Sequence, residues 1–279
     1  MLKERTRDRR LSPALFGADP KVFDEQVITR ASVPVLHDPA SSAPVETYFL
    51  YGENVKTFGS LIQAGTVLAQ SERDGYVGYI DMRALASRGY PPTHRVINPR
   101  TIVYRRADIK SGMVTQLGFN ALVSSDGVQG DFARIPLLGF VHIECLWSLS
   151  RLADDPVVVA ETLLDTPYYW AGRDTTVGVD CSAYVQHALD VCGIRCPRDS
   201  DQIAQAFPEF TVSKDERPRR GDIINFRGHV GIMSDSATIL HASEYHRKAS
   251  DELLENLVER RLAKAEGGIT SIIRLPLMG

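Results

Sequence analysis

The stretch VGVDCSAYVQHALDVCG, residues 177–193, sets an aspartate and a cysteine at the start of a short helical pattern and a glycine at its end. Tyr184, Val185, Ala188, Leu189 and Cys192 recur at helical spacing, so the spacing predicts a helix from Cys181 with one broad apolar face and Gly193 as its stop. A cysteine in a first helical turn meets the positive end of the macrodipole and unpaired backbone N–H groups, both of which favour a thiolate. The same N–H groups suit a developing oxyanion. Cys181 therefore has a physical reason for reactivity that Cys192, at the far end of the same helix, lacks. Asp180 reads equally as a helix N-cap or as a carboxylate facing a substrate.

Thiol chemistry on a carbonyl needs an imidazole as base and a third group to fix its ring. His187 shares the helix but points elsewhere, six residues on at about 100° per residue. His229 opens the apolar run HVGIMSD, and His241 falls in the next one, ATILHAS, across the turn SDSA. Two adjacent strands would bring both imidazoles together below the helix start. His37, His94, His142 and His246 sit in no such pattern and read as surface or structural residues. A helix over about 154–165 is expected before Pro167, a strand in GDIINF, and a third amphipathic helix over DELLENLVERRLAKAEGG. Helices followed by antiparallel strands make residues 149–279 an α+β domain.

Upstream, short alternating apolar runs broken by turn chemistry indicate β structure. QVITRASVPVLHDP and HRVINPRTIVYRRAD resemble each other, which suggests two consecutive small barrels over 24–90 and 91–148 after an N-terminal extension, 1–23.

Composition excludes several functions. The chain has 279 residues, 43% hydrophobic and 24% charged, with a formal net charge of -3, so no global basic field draws nucleic acid or anionic lipid. MLKERTRDRR lacks the apolar core of a signal peptide, and no run approaches the ~20 apolar residues of a membrane span, so a cytoplasmic protein is expected. Four cysteines make no disulfide framework, and Cys192 and Cys196 have no second pair for zinc. No metal or cofactor is expected, and Cys145 reads as core. Oligomeric state is left open.

TPYYWAGRDTTVGVDCSAYVQ, then RRGDIINFRGHVGIM and ILHAS, resembles the NlpC-like cysteine peptidases, papain-related enzymes that cleave peptidoglycan peptides. The resemblance covers about residues 150–279, with Ala171 standing where the family has the first glycine of Tyr-x-Trp-Gly-Gly. It implies a papain-like catalytic domain preceded by two SH3-like β-barrels. Cys181 would be the nucleophile, His229 the base and later acid, and His241 the residue that orients His229. Tyr168, Trp170, Asp180, Ser182, Asp199 and Ser200 match positions lining the substrate site. Tyr76 and Glu53 match barrel positions that recognise the free amino terminus of L-Ala-γ-D-Glu-diamino acid peptides, with Asp199 opposite the ammonium. The implied reaction is hydrolysis of the γ-D-Glu to diaminopimelate bond in murein peptides, releasing L-Ala-D-Glu. A cell-wall-peptide binding module with an inactive site, or a papain-like amidase or acyltransferase, remains open at this stage.

Overall fold

The alternating runs of residues 24–148 form strands as their pattern requires. A computed structural model describes residues 12–40, 42–63 and 65–276; the MLKERTRDRR segment lies outside the described residues. The chain divides into two compact units, one ending at Arg151 and the next beginning at Leu152.

The first unit opens with β1 (Asp24–Ile28), β2 (Ser32–Leu36), β3 (Val45–Leu50), β4 (Asn54–Gln63), β5 (Thr66–Ser71), β6 (Val77–Asp81) and β7 (Leu85–Ser87). These pair in the order β3-β2-β6-β5-β4-β1-β7, and each pairing is antiparallel. Val33, Val35, Phe49, Val55 and Ile80 point into one buried cluster, and Tyr76 joins them. The second module holds β8 (His94–Val96), β9 (Arg100–Tyr104), β10 (Met113–Gly118), β11 (Leu122–Val123), β12 (Gly127–Gln129), β13 (Phe132–Ile135), β14 (Gly139–His142) and β15 (Leu146–Ser148). They form a five-stranded sheet, β10-β9-β14-β13-β12, and a three-stranded one, β11-β8-β15. In pairing order these sheets have ends rather than closing into rings. Cys145, expected in the core, is half-buried at the margin of this module's cluster.

The second unit contains α1 (Pro156–Glu161), β16 (Arg173–Asp174), β17 (Gly178–Val179), α2 (Cys181–Val191), α3 (Ser200–Ala206), β18 (Thr211–Val212), β19 (Ile223–Phe226), β20 (His229–Met233), β21 (Thr238–Ser243), β22 (Lys248–Leu253), α4 (Leu254–Ala263) and β23 (Ile269–Ile273). The sheet order is β18-β23-β19-β20-β21-β22. Ile224, Phe226, Met233, Ile239 and Ile272 pack under Leu254 and Leu257 of α4. The unit is mixed α/β, as expected, with three departures.

The first helix is shorter than 154–165. Asp155 caps it through the Val157 N–H, but Asp165 adopts a left-handed φ of 64° and Pro167 bridges to Lys248, so the chain has turned toward β22 before Pro167. Residues 251–253 belong to β22 rather than to the third helix, because they pair with β21 through Thr238↔Leu253 and Ile239↔Glu252. Finally, α2 is buried nearly all round rather than on one face, Ser182, Gln186 and His187 included. Its polar side chains find partners inside the unit, Gln186 Nε2 donating to Cys196 O at 2.9 Å and His187 Nε2 lying 2.8 Å from Arg173 O. Gly193 stops α2 with a φ of 75°.

The turn before α2 is tight. A Cβ on Gly172 would fall 2.5 Å from Gly178 O, so this position excludes a side chain. Ala171 beside it has a φ of 61°. Left-handed backbone costs a non-glycine residue about 1–2 kcal/mol. Glycine loses about 0.4–1 kcal/mol through its freer unfolded chain. Ala171→Gly is therefore expected to raise stability by about 0.5–1 kcal/mol in equilibrium urea unfolding; a loss of stability would show that the turn does not strain Ala171.

Candidate active site

The start of α2 is held from below by one guanidinium. Asp180 Oδ1 accepts the Ala183 N–H at 2.8 Å, so Asp180 is the N-cap. Arg198, fully buried, donates from Nη2 to Asp180 Oδ2 at 2.7 Å and from Nη1 to Asp180 Oδ1 at 3.0 Å. Arg198 Nη1 also reaches Ser182 Oγ at 2.8 Å, and Nη2 reaches Ala171 O and Gly172 O at 3.1 and 3.2 Å. Asp180 and Ser182, both expected at the substrate site, are engaged with Arg198 and with each other, at 3.1 Å. Arg198 was missed because attention in CPRDSDQ falls on Asp199 and Ser200. A buried, partnered carboxylate earlier in the chain nonetheless needs a cation of its own.

The Cys181 thiol sits at this helix start, 7% exposed. Burial pushes its pKa up to about 12, with the Asp180 charge adding to the rise; backbone N–H groups of Val230 and Ser182 and the Arg198 charge oppose it. The resting group is a thiol, contrary to the thiolate that the helix position alone suggests.

Val230, whose N–H meets the thiol, follows His229 at the start of β20. The β20–β21 register, Ile232↔Leu240 and Met233↔Ile239, puts His229 and His241 on the same face. His229 Nε2 lies 2.7 Å from His241 Nδ1, with ring centroids 4.9 Å apart and planes 80° from each other. Burial, followed by the proximity of His241 and Arg261, holds the His229 pKa well below the ordinary 6.5. Burial likewise lowers that of His241, against the pull of Glu252.

Glu252 is a second residue that the sequence pattern hides, because the apolar spacing of DELLEN reads as helical. In β22 it stands diagonally from His241, which pairs with Ser250. Its Oε1 lies 2.8 Å from His241 Nε2, off the line of the ring N–H, and its Oε2 accepts from Arg260 Nη1 at 2.8 Å. Burial alone would raise the Glu252 pKa, but the close approach of His241 and the hydrogen bond from Arg260 bring it down to about 2. His246, expected as a surface or structural residue, has Nε2 3.5 Å from Glu252 Oε2.

Proton positions follow from that carboxylate. An ionised Glu252 holds the proton of His241 at Nε2, so His241 Nδ1 is an acceptor and His229 donates from Nε2. His229 Nδ1 is then the unprotonated nitrogen, the one a thiol proton requires.

The other expected residues divide. Tyr168 and Trp170 line the cleft beside His229 and His241, Trp170 being 74% exposed. Asp199 and Ser200 stand half-buried at the start of α3. In the first unit Tyr76 and Glu53 are each 1% exposed: Tyr76 Oη lies 3.5 Å from Glu46 Oε2, and Glu53 pairs with Arg73 at 2.9 Å. Both are buried there rather than presented at the surface. Among the described residues no group of three or more His, Cys, Asp and Glu is placed to hold a metal.

A buried thiol at a helix start, met by the backbone N–H of the residue after His229, and the successive close approaches of His229, His241 and Glu252 define the class of site. The NlpC/P60 family matches residues 165–266, and the chain carries a domain of that cysteine peptidase family. Dipeptidyl-peptidase 6 of Lysinibacillus sphaericus is 33% identical over 92 residues, 32% of this chain and 32% of that one, so the match spans about a third of the relative's length. The crystal structure of an NlpC/P60 family protein from Bacillus cereus superposes with a TM-score of 0.74 at 18% identity, covering 91% of this chain and 100% of that one. An NlpC/P60 endopeptidase from Photobacterium damselae subsp. piscicida gives a TM-score of 0.52 at 10% identity, covering 88% and 70%. At these identities the two structures share the fold.

Two measurements test the electrostatics. Glu252 has a folded pKa depressed to about 2 from an ordinary 4.5, so its contribution is present above pH 4.5 and is lost as pH falls toward 2. Acid unfolding of the native protein should lose about 3 kcal/mol over that window that Glu252→Gln does not lose; equal slopes would show that the carboxylate is not held by His241 and Arg260. Alkylation of Cys181 by iodoacetamide should keep rising with pH past 9. A plateau reached near neutrality would show a preformed thiolate.

Proposed function

We propose that the protein is a cysteine endopeptidase that hydrolyses the γ-D-Glu to diamino acid bond of free murein peptides, releasing L-Ala-D-Glu in cytoplasmic cell-wall recycling. The reading is carried by the Cys181 thiol against the Val230 N–H, next in the chain to His229, together with the close approach of His229 to His241 and of His241 to Glu252, in a domain of the NlpC/P60 family. The relative named dipeptidyl-peptidase 6 supports the peptide class.

The chemistry follows the proton. Cys181 Sγ attacks the γ-carbonyl carbon as its proton passes to His229 Nδ1, so charge forms only when the substrate is present. The resulting imidazolium keeps its Nε2 proton on His241, whose own Nε2 proton faces Glu252. The oxyanion is met by the Cys181 backbone N–H, one of the helix-start groups with no intrahelical partner. Collapse breaks the C–N bond; His229 Nδ1 gives its proton to the leaving amine, and a thioester remains on Cys181. Water, deprotonated by His229, attacks the thioester, and the thiol reclaims its proton as L-Ala-D-Glu departs.

On the acyl side, Asp199 at the start of α3 is the carboxylate that would meet the free ammonium of L-Ala, with Ser200 beside it. Tyr168 and Trp170 flank the scissile region. The β-rich unit is read as two SH3-like modules, 24–90 and 91–148, preceding the peptidase domain 149–279, with Tyr76 and Glu53 belonging to the first module.

Cys181→Ala is expected to abolish release of L-Ala-D-Glu from L-Ala-γ-D-Glu-meso-diaminopimelate, followed by mass spectrometry; turnover by that variant would remove Cys181 as nucleophile. The N-acetylated tripeptide should be cleaved at least about tenfold more slowly than the free one, because a buried-side carboxylate loses its ammonium. Equal rates would dismiss Asp199 as a gauge of the amino terminus.

A further inference from the structure

A cleft of the second unit, about 470 Å³, is lined by His229 and His241 but not by Cys181, Asp199 or Ser200. An imidazole that protonates the departing nitrogen faces the leaving group, so this space lies on the leaving side of the scissile bond. Its wall is cationic and comes from two separate elements. Arg227 follows β19, while Arg260, Arg261 and Lys264 lie at the C-terminal end of α4.

These four cations are not equivalent. Arg260 is held by Glu252 and lies 4.3 Å over the Tyr245 ring. Arg261 is 11% exposed; Nη1 lies 3.1 Å from Glu266 Oε2 and Nη2 donates to Arg227 O at 2.8 Å. Its Nε, buried, meets no acceptor among the described residues. Arg227 and Lys264 are exposed, and no ion pair of either is found among the described residues. The Arg261 charge is near enough to act on Cys181 and His229 when either ionises, which places the wall beside the reacting atoms. The acidic lining residues are Glu266, already engaged with Arg261, and Glu244, whose charge acts on Tyr168. A cationic wall with a further carboxylate, Glu244, in the same cleft fits the zwitterionic end of an amino acid.

We propose that Arg227, Arg261 and Lys264 form the leaving-group subsite and read a carboxylate at the far end of the departing diamino acid, with Glu244 facing its ammonium. The inference rests on the peptidase reading above and deepens it. A diaminopimelate leaving group carries that carboxylate; a lysine leaving group has the ammonium alone. The protein therefore discriminates in favour of diaminopimelate peptides.

The test compares three free tripeptides, L-Ala-γ-D-Glu joined to meso-diaminopimelate, to its side-chain amide, and to L-lysine. The α-carboxylate is common to all three, so differences report the far end only. The acid should exceed both others by about tenfold or more in kcat/KM, and Arg227→Gln and Lys264→Gln should each bring the acid-to-lysine ratio toward one. Equal rates on the three peptides by the active protein would overturn the subsite and leave the peptidase reading intact. Hydrolysis of none would overturn the peptidase reading instead. Calorimetric titration of the full chain with free meso-diaminopimelate and with lysine then decides the subsite alone: tighter binding of diaminopimelate upholds it, and equal affinities overturn it.

Discussion

One carboxylate organises the proton chemistry of the second unit. Glu252 is nearly buried, which opposes its charge, yet Arg260 on one side and His241 on the other keep it ionised. Its charge reaches the thiol only through the order of protons along two imidazoles: with Glu252 neutral, His241 would have no reason to keep its proton at Nε2, and His229 would lose its acceptor. The distances in the relay are short at each step, 2.8 Å and then 2.7 Å, so a change in tautomer at one ring forces one at the next. The strands supply that rigidity. His229, His241 and Glu252 come from three neighbouring strands, β20, β21 and β22, and project from a common face of one hydrogen-bonded sheet.

The thiol illustrates how competing effects are decided by size. A helix N-terminus favours a nearby anion by about 0.3–1 kcal/mol, and by about 2 kcal/mol in the best partly buried geometries. A pKa carried from 9.0 to about 12 corresponds to about 4 kcal/mol against the thiolate, so burial wins. The same enclosure keeps His229 neutral. Both partners are thus uncharged at rest, and the cost of forming an ion pair is deferred to the moment when a carbonyl is in place to take up the nucleophile.

Local signals made parts of this architecture readable from sequence, and long-range partners hid the rest. Asp180 and Gly193 bracket α2 through contacts within a few residues, so both ends of the helix were visible in DCSAYVQHALDVCG. The two histidine-bearing strands were visible for a similar reason, each being a short apolar run next to a turn. Arg198 was invisible as a partner because nothing in CPRDSDQ indicates that its guanidinium returns to Asp180 and Ser182. Glu252 was hidden by periodicity: the apolar spacing of α4 extends backward over residues that β21 recruits into a strand. Polar Ser182, Gln186 and His187 also blurred α2, since burial on every side becomes possible only when tertiary partners satisfy such groups.

Net charge and local charge answer different questions. A formal charge of -3 argues against polyanionic partners, which bind through a field spread over a whole surface. It does not bear on a cleft a few ångströms across, where two elements converge and screening by salt is weak at contact distance. A carboxylate arriving there meets the charges of Arg227 and Lys264 together, with the Arg261 guanidinium behind them. A site whose groups are placed to pair with a substrate group rejects the analogue that lacks it, because those groups are then left unpaired, and the leaving residue is the part of a peptide that this cleft can distinguish.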